Sequence, residues 1–220
     1  TLFPFTTIFR SKTAYKKHEI PLIIKKINSI KSKYRTIIDK ISNSMKIPKD
    51  IIISVIFIES SGNKNAKSNS GAIGLMQLKP DSAADIVNIK KRKYKLTSLE
   101  TSILKNNLEE DKYKCLINMP YAGKYPCGEN PITEKDLVKE ELNILIGTMY
   151  LKLLISKLKE NGKLRLDKVI AKYNQGYFWK TPTGNYEDFY NKVPDETKKY
   201  IVRFSGINGI LDIINKNNLT

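Results

Sequence analysis

The stretch that most restricts how this chain can fold is eight residues long. Residues 51–58 read Ile-Ile-Ile-Ser-Val-Ile-Phe-Ile, and a carboxylate, Glu59, follows at once. Pro48-Lys49-Asp50 in front reads as a helix start, with proline early and an acid in the first turn. Gly62 suits a helix end. A helix over these residues is apolar on almost every face, so it must be buried all round. The run is also β-branched enough for a buried strand, and periodicity alone does not separate the two. As the end of a buried helix, Glu59 stands at the edge of a desolvated region. Desolvation penalises a carboxylate and raises its pKa, which suits a group that donates a proton near neutral pH. The plain alternative is a helix-end acid that points to water, and residue 59 taken alone favours that alternative.

The rest of the chain reads as mostly helical. Apolar spacing at Ile23, Ile27, Ile30, Tyr34, Ile37, Ile38 and Ile41 predicts an amphipathic helix over about 21–43. Residues 1–17 read as irregular. Residues 60–79, rich in Ser, Asn and Gly, read as a long structured loop, and Pro80 opens the next helix. Thr133 with Asp136 makes a capping-box-like start to the longest helix, 133–161, which Gly162 ends. Asp167 is expected to cap a short helix to Asn174, followed by Gly176. A last helical pair covers 194–204 and 207–217. Residues 88–132 are polar, with a short helix near 99–108, and leave room for a small irregular or β flap. The expected fold is mostly α: a basic N-terminal helical arm, 1–45, and one compact domain, 46–220.

Composition narrows the classes of function. The 220 residues are 40% hydrophobic and 28% charged, which suits a folded globular chain. No apolar run is long enough to span a bilayer. The 39 Lys and Arg against 22 Asp and Glu leave a net charge of +17, a surplus that favours a polyanionic partner. The cations are mostly Lys and are scattered, whereas sequence-specific nucleic-acid readers lean on Arg. No specific nucleic-acid partner is therefore expected. His18 is the only histidine, and Cys115 and Cys127 are the only cysteines, too few for a four-ligand zinc site. No such zinc site is expected. The two cysteines flank a turn-rich stretch. A disulfide there would stabilise by about 3 kcal/mol and imply an oxidising compartment; two buried thiols are the alternative. The chain begins at Thr1 rather than Met, as expected if a leading segment such as an export signal has been removed.

After Glu59 the chain runs Ser60-Ser61-Gly62-Asn63-Lys64-Asn65-Ala66-Lys67-Ser68-Asn69-Ser70-Gly71-Ala72-Ile73-Gly74-Leu75-Met76-Gln77-Leu78-Lys79-Pro80. Gly71 and Gly74 let backbone approach a ligand closely or adopt positive φ. Met76 and Gln77 offer an apolar surface and an amide, a pairing suited to a sugar. The segment resembles the first motif of the soluble lytic transglycosylase family, the goose-type-lysozyme-like enzymes of bacterial cell walls. That motif has Glu-Ser, then Asn and Ala, then Ser, then Gly-Ala-x-Gly-Leu-Met-Gln and a Pro. Three more matches follow in family order. They are Asn143-Ile144-Leu145-Ile146-Gly147-Thr148-Met149-Tyr150-Leu151, then Ala171-Lys172-Tyr173-Asn174-Gln175-Gly176, then Pro194-Asp195-Glu196-Thr197-Lys198-Lys199-Tyr200-Ile201. The third differs from the usual Ala-Ala-Tyr-Asn-Ala-Gly at Lys172 and Gln175. Residues 88–139 are longer than a minimal domain of the family needs and read as an insertion or flap.

The resemblance implies a lysozyme-like α-helical domain. It implies cleavage of the β-1,4 bond between N-acetylmuramic acid and N-acetylglucosamine, with a 1,6-anhydromuramic product. Glu59 becomes the single catalytic acid/base, no metal and no cofactor are required, and the helix-end alternative gives way. Ser68, Met76 and Gln77 take the groove-lining positions of the first motif, and Tyr173 and Asn174 the part of the third that faces the catalytic acid. Glu196 is implied as a contact in a neighbouring subsite, although a carboxylate at a helix N-terminus is equally explained by the dipole. Glu140 and Glu141 read as the exposed face of their helix. The implied partner is the peptidoglycan glycan strand, whose carboxylates answer the positive charge. The implied place is the periplasm or cell envelope, where partners in envelope assembly or secretion would lie and where Cys115 and Cys127 would pair. Two other functions share the resemblance: a lysozyme-type muramidase that uses water, and a non-catalytic peptidoglycan-binding module of a secretion system.

Overall fold

The structure, a computed structural model, describes residues 12–160 and 163–219. Among them are eleven α-helices, a short 3-10 turn at Lys17–Glu19, and one antiparallel pair of two-residue strands, Lys159–Glu160 with Lys163–Leu164. The mostly α expectation holds. None of the described helices is long and apolar enough to cross a membrane. The chain divides into two compact units, Ile30–Tyr150 and Thr1–Ser29 with Leu151–Thr220.

In the first unit, the later part of α1 (Ile20–Met45) turns Ile30, Tyr34, Ile37, Ile38, Ile41 and Met45 inward. This is the stripe that the three-to-four spacing predicts. The Tyr34 hydroxyl donates to the Gly62 carbonyl at 3.2 Å, and the Ile30 side chain fills the space a Cβ on Gly62 would need. Residues 30–45 therefore pack on the end of the next helix and belong to its unit. The expected boundary between a separate arm and a domain at 46 falls inside packed structure, because the apolar stripe needs a surface to cover it.

The apolar run resolves as α2 (Lys49–Ser60), with every residue from Ile51 to Ile58 buried. Its one polar member carries a cost. The Ser54 hydroxyl is buried, and among the described residues it has no hydrogen-bond partner. An unsatisfied buried hydroxyl costs on the order of 1 kcal/mol or more. Ser54→Ala is expected to raise the melting temperature by about 3 °C in calorimetry. An unchanged or lower value would mean the hydroxyl is satisfied.

Residues 88–132 do not form a β flap. They run through α3 (Pro80–Tyr94), α4 (Ser98–Asn107) and α5 (Glu110–Ile117) before a turn-rich segment. A capping box starts α4. The Glu100 amide donates to Thr97 Oγ1 at 3.2 Å, and the Thr97 amide donates to Glu100 Oε2 at 2.8 Å. The Thr-x-x-Glu spacing was a readable sign of this start. The same Glu100 is buried and pairs with Lys90 Nζ at 3.0 Å.

The turn-rich segment is tied to α3 and α5. Cys115 and Cys127 form a disulfide, with Cα atoms 5.7 Å apart. Buried Asn88 donates to the Met119 carbonyl at 2.6 Å, and the Gly123 amide to Asp85 at 2.7 Å. Tyr125 and Asn130 both donate to Asp81. Burial, with Asp81 and Asp85 adding to it, pushes the Tyr125 phenol up to about 12, so it keeps the proton it donates.

The helix expected over 133–161 is two helices, α6 (Glu134–Leu137) and α7 (Glu140–Lys157). Thr133 does start the first, its amide and hydroxyl donating to Asp136 at 3.0 and 2.7 Å. The break follows because the Leu137 carbonyl accepts from the Asn143 side chain at 2.8 Å, and a side chain inserted into the ladder interrupts a helix. Gly162, expected to end the helix, lies outside the described residues, as do residues 1–11 of the stretch expected to be irregular.

The second unit contains α8 (Leu166–Gln175), α9 (Tyr186–Lys192), α10 (Asp195–Ser205) and α11 (Ile210–Lys216). Asp167 does not cap α8. It sits inside the first turn and pairs with the Arg165 guanidinium at 3.0 and 2.7 Å. Ala171, Phe189, Tyr190, Val193 and Ile201 form a core cluster. Residues 12–14 line the turn before α11: the Ala14 amide donates to the Ile207 carbonyl at 2.7 Å, and the Ile207 amide to the Lys12 carbonyl at 2.9 Å.

Candidate active site

Glu59 lies in the last turn of α2, half-buried, where the helix carbonyls end. A negative charge there faces the negative end of the helix dipole. The helix stops two residues later. Ser61 takes a left-handed conformation (φ 52°) and its amide donates to the Phe57 carbonyl at 2.9 Å. Ser60 joins this end to the loop behind it. Its hydroxyl lies 3.0 Å from the Ile56 carbonyl and 2.8 Å from the Leu75 carbonyl, and accepts from the Gly62 amide at 3.2 Å. One proton serves both carbonyls, so the residue beside Glu59 is held by its own helix and by residue 75.

The loop is as ordered as the sequence suggests. Ile73 and Leu78 exchange amide hydrogen bonds at 2.9 and 3.0 Å, and the Gly74 amide donates to the Ala66 carbonyl at 2.8 Å. Gly71 and Gly74 both take positive φ, 82° and 81°. At Gly74 a side chain would also collide: an added Cβ would lie 2.4 Å from Asn143 Nδ2 and 2.5 Å from the Leu137 carbonyl.

Asn143 is the residue that residue-level reading missed. Fully buried, it accepts from the Met76 amide at 2.8 Å and donates to the Ile73 and Leu137 carbonyls at 3.0 and 2.8 Å. One side chain thereby fixes the loop against α6 and α7. One turn further along α7, a Cβ on Gly147 would lie 2.4 Å from Met76 Sδ. The available signal was an asparagine set among Leu142, Ile144, Leu145 and Ile146, where a polar group must find partners. Glu140 is also more than an exposed helix acid. Lys33 of α1 and Lys64 of the loop lie 3.5 and 3.4 Å from its Oε1.

The expected sugar contacts of the first motif separate by burial. Ser68 is half-buried; its hydroxyl accepts from the Ala72 amide at 2.9 Å and lies 3.1 Å from Ser70 Oγ. Gln77, half-buried at φ 47°, donates through Nε2 to the Ala66 and Gly74 carbonyls at 3.1 and 3.0 Å. Its side-chain amide is thus committed to the loop backbone. Met76 is fully buried against Gly147. It has no surface to offer a sugar and supports the loop from beneath.

In the second unit the third and fourth motifs meet. Thr197 Oγ1 donates to Asn174 Oδ1 at 2.8 Å, and Gln175 Nε2 donates to Thr197 Oγ1 at 2.7 Å. Thr197 and Tyr173 are buried, Asn174 is half-buried, and Glu196 is exposed in the first turn of α10. The departure at Gln175 thus adds a second bond to the Asn174–Thr197 junction. The departure at Lys172 places a buried lysine whose ammonium donates to the Trp179 carbonyl.

A buried apolar helix that ends in one acid, followed by a rigid Gly-containing loop on a mostly α scaffold, defines a lysozyme-like fold. Residues 36–105 match the family described as Transglycosylase SLT domain. The chain is 35% identical over 106 residues to membrane-bound lytic murein transglycosylase E of Buchnera aphidicola subsp. Acyrthosiphon pisum (strain APS), a match covering 48% of each chain. It is 30% identical over 143 residues to the protein of that name from Buchnera aphidicola subsp. Baizongia pistaciae (strain Bp), covering 64% of this chain and 51% of that one. The chain spans about half the length of these curated relatives. Its fold is like that of an inactive mutant of lytic transglycosylase Slt from Pseudomonas aeruginosa, with TM-score 0.51 and 19% identity, covering 84% of this chain and 24% of that chain. Residues 36–105 thus match a transglycosylase SLT domain, and the chain is similar to lytic transglycosylases over about half of their length.

Proposed function

We propose that this chain is a peptidoglycan lytic transglycosylase in which Glu59 is the single acid/base. The observation that carries the reading is the seating of Glu59 itself. It closes a helix buried throughout residues Ile51 to Ile58, and its neighbour Ser60 is tied to the Gly-Ala-x-Gly-Leu-Met-Gln loop. Most glycosidases use two carboxylates; here one serves twice. Glu59 gives its proton to the oxygen between N-acetylmuramic acid and N-acetylglucosamine as that bond to the muramic anomeric carbon breaks. The muramic N-acetyl oxygen supports the anomeric carbon from the opposite face. The ionised Glu59 then takes the proton of the muramic 6-hydroxyl, whose oxygen bonds to the anomeric carbon. The anhydro ring closes, and Glu59 is again protonated. An acid/base that works in both directions is most effective with a pKa near the working pH.

Ser68, Gln77, Tyr173 and Asn174 are the proposed sugar contacts, with Glu196 in a neighbouring subsite. The proposed compartment is the periplasm, where a disulfide such as Cys115–Cys127 persists and where a chain of +17 meets a carboxylate-bearing polymer. The test is mass spectrometry of the muropeptides released from purified sacculi. Anhydro ends are expected. Reducing ends alone would make the chain a hydrolase.

A further inference from the structure

Phe178 is the most exposed large hydrophobic side chain among the described residues, at 79%. It lies in residues 176–184, directly after Asn174 and Gln175 of the third motif. Its ring meets that of Tyr177 edge-on, with centroids 5.3 Å apart at 88°. Lys157 Nζ stands 4.0 Å over the Tyr177 ring centroid, a cation–π contact.

This segment is fastened, not slack. Lys168 and Lys172, one turn apart on α8, are both buried. Lys172 donates to the Trp179 carbonyl; Lys168 Nζ reaches the Gly184 carbonyl at 3.5 Å, and Arg165 donates to the same oxygen at 3.1 Å. Trp179 packs on the cluster that contains Phe189 and Tyr190. Burying an ammonium group is costly unless it is hydrogen-bonded, and here the two lysines spend that bonding on the loop backbone. The result is an apolar ring held out to solvent by anchored neighbours. Such pre-organisation lowers the ordering cost of binding.

The chemistry of an occupant can be read from what is presented. Two rings at right angles offer a face and an edge, which suit the C–H-rich face of a pyranose. The local charge is positive. Lys157 and Lys180 are exposed, and the Lys172 ammonium is pushed below its usual range by burial first and by the charge of Lys157 second. An anion placed here would relieve that repulsion. We propose that Tyr177, Phe178 and Lys157 form an accessory subsite that stacks a sugar of the glycan strand and pairs with a carboxylate carried on that strand. The inference rests on the peptidoglycan reading above, but it concerns binding and not cleavage.

The test uses the full chain carrying Glu59→Gln, so that substrate is held and not consumed. Two probes are compared: purified sacculi in a sedimentation assay, and neutral chitopentaose by calorimetry. Phe178→Ala is expected to weaken binding to both about fivefold, with an unchanged melting temperature since the ring is exposed. Phe178→Trp should restore it. Lys157→Met should weaken sacculus binding and flatten its salt dependence while leaving chitopentaose unaffected. Unchanged sacculus binding in both Phe178→Ala and Lys157→Met overturns the subsite. If the chain with Glu59 intact still releases anhydro-muropeptides in that case, only the subsite has failed. If that chain releases none and the Glu59→Gln chain binds no sacculi, both readings fail together.

Discussion

Glu59→Gln leaves a folded protein whose digestion of sacculi falls by about a thousandfold. General acid–base catalysis by one group contributes about 10²–10⁴ in rate, and in the proposed route one carboxylate serves both proton transfers. An amide can neither donate a proton to the glycosidic oxygen nor accept one from the 6-hydroxyl. The substitution keeps the shape of a half-buried side chain in the last turn of α2, and Ser60, the residue that ties this turn to Leu75, is untouched. The measurement is the rate of muropeptide release at equal protein, with a thermal melt beside it. Wild-type release by Glu59→Gln would remove Glu59 from the chemistry whatever the family resemblance says. Loss of release together with a collapsed melt would mean that the acid was needed for folding instead.

Asn143→Leu is expected to be the most destabilising single change in the first unit. Leucine fits the volume but makes none of the three hydrogen bonds. The Met76 amide loses its acceptor and the Leu137 carbonyl loses the Asn143 donor in a fully buried place, while the Ile73 carbonyl keeps the Leu78 amide. Each buried group left unpaired costs about 1–3 kcal/mol, so a total of about 4 kcal/mol is expected, with a melting temperature lowered by roughly 10 °C. Activity should fall further than the remaining folded fraction explains, because residues 72–77 lose their seat and Gln77 moves with them. Amide exchange should quicken at residues 73–76 before it quickens in α2. A melt within about 2 °C of wild type would show that water or a shifted backbone satisfies these groups, and that Asn143 is not the clasp described.

Several elements were legible because a local rule was enough. The inward stripe of α1 follows from three-to-four spacing, the start at Thr133 from its pairing with Asp136, and the positive φ of Gly71 and Gly74 from what glycine alone adopts cheaply. Others were not legible because a distant partner overrules the local rule. A helix pattern runs unbroken through residues 138 and 139, yet the Asn143 side chain takes the carbonyl that would continue it. Asp167 reads as a cap in the sequence, but the helix starts before it and it pairs with Arg165 from within the first turn. Met76 looks like an apolar surface for a sugar, and only the absence of a side chain at Gly147 draws it inward. Helix α9 carries too short an apolar pattern to announce itself, and its Phe189 and Tyr190 are recognisable as core only beside Ala171 and Ile201.

By itself the sequence determined that residues 51–58 must be buried on every side, that one acid ends that run, and that four motifs resembling those of lytic transglycosylases stand in family order. The first two conclusions need only composition and spacing; the third is a resemblance carried by motif order along the chain. The tertiary structure alone decided that the run is a helix, that Asn143 clasps the loop behind Glu59, that Thr197 clasps Asn174, and that Phe178 stands out in solvent. The physical reason is that a hydrogen bond or a packing contact depends on which groups meet in space. Residues 76 and 143 meet although 67 positions separate them, and no periodicity along the chain records that meeting.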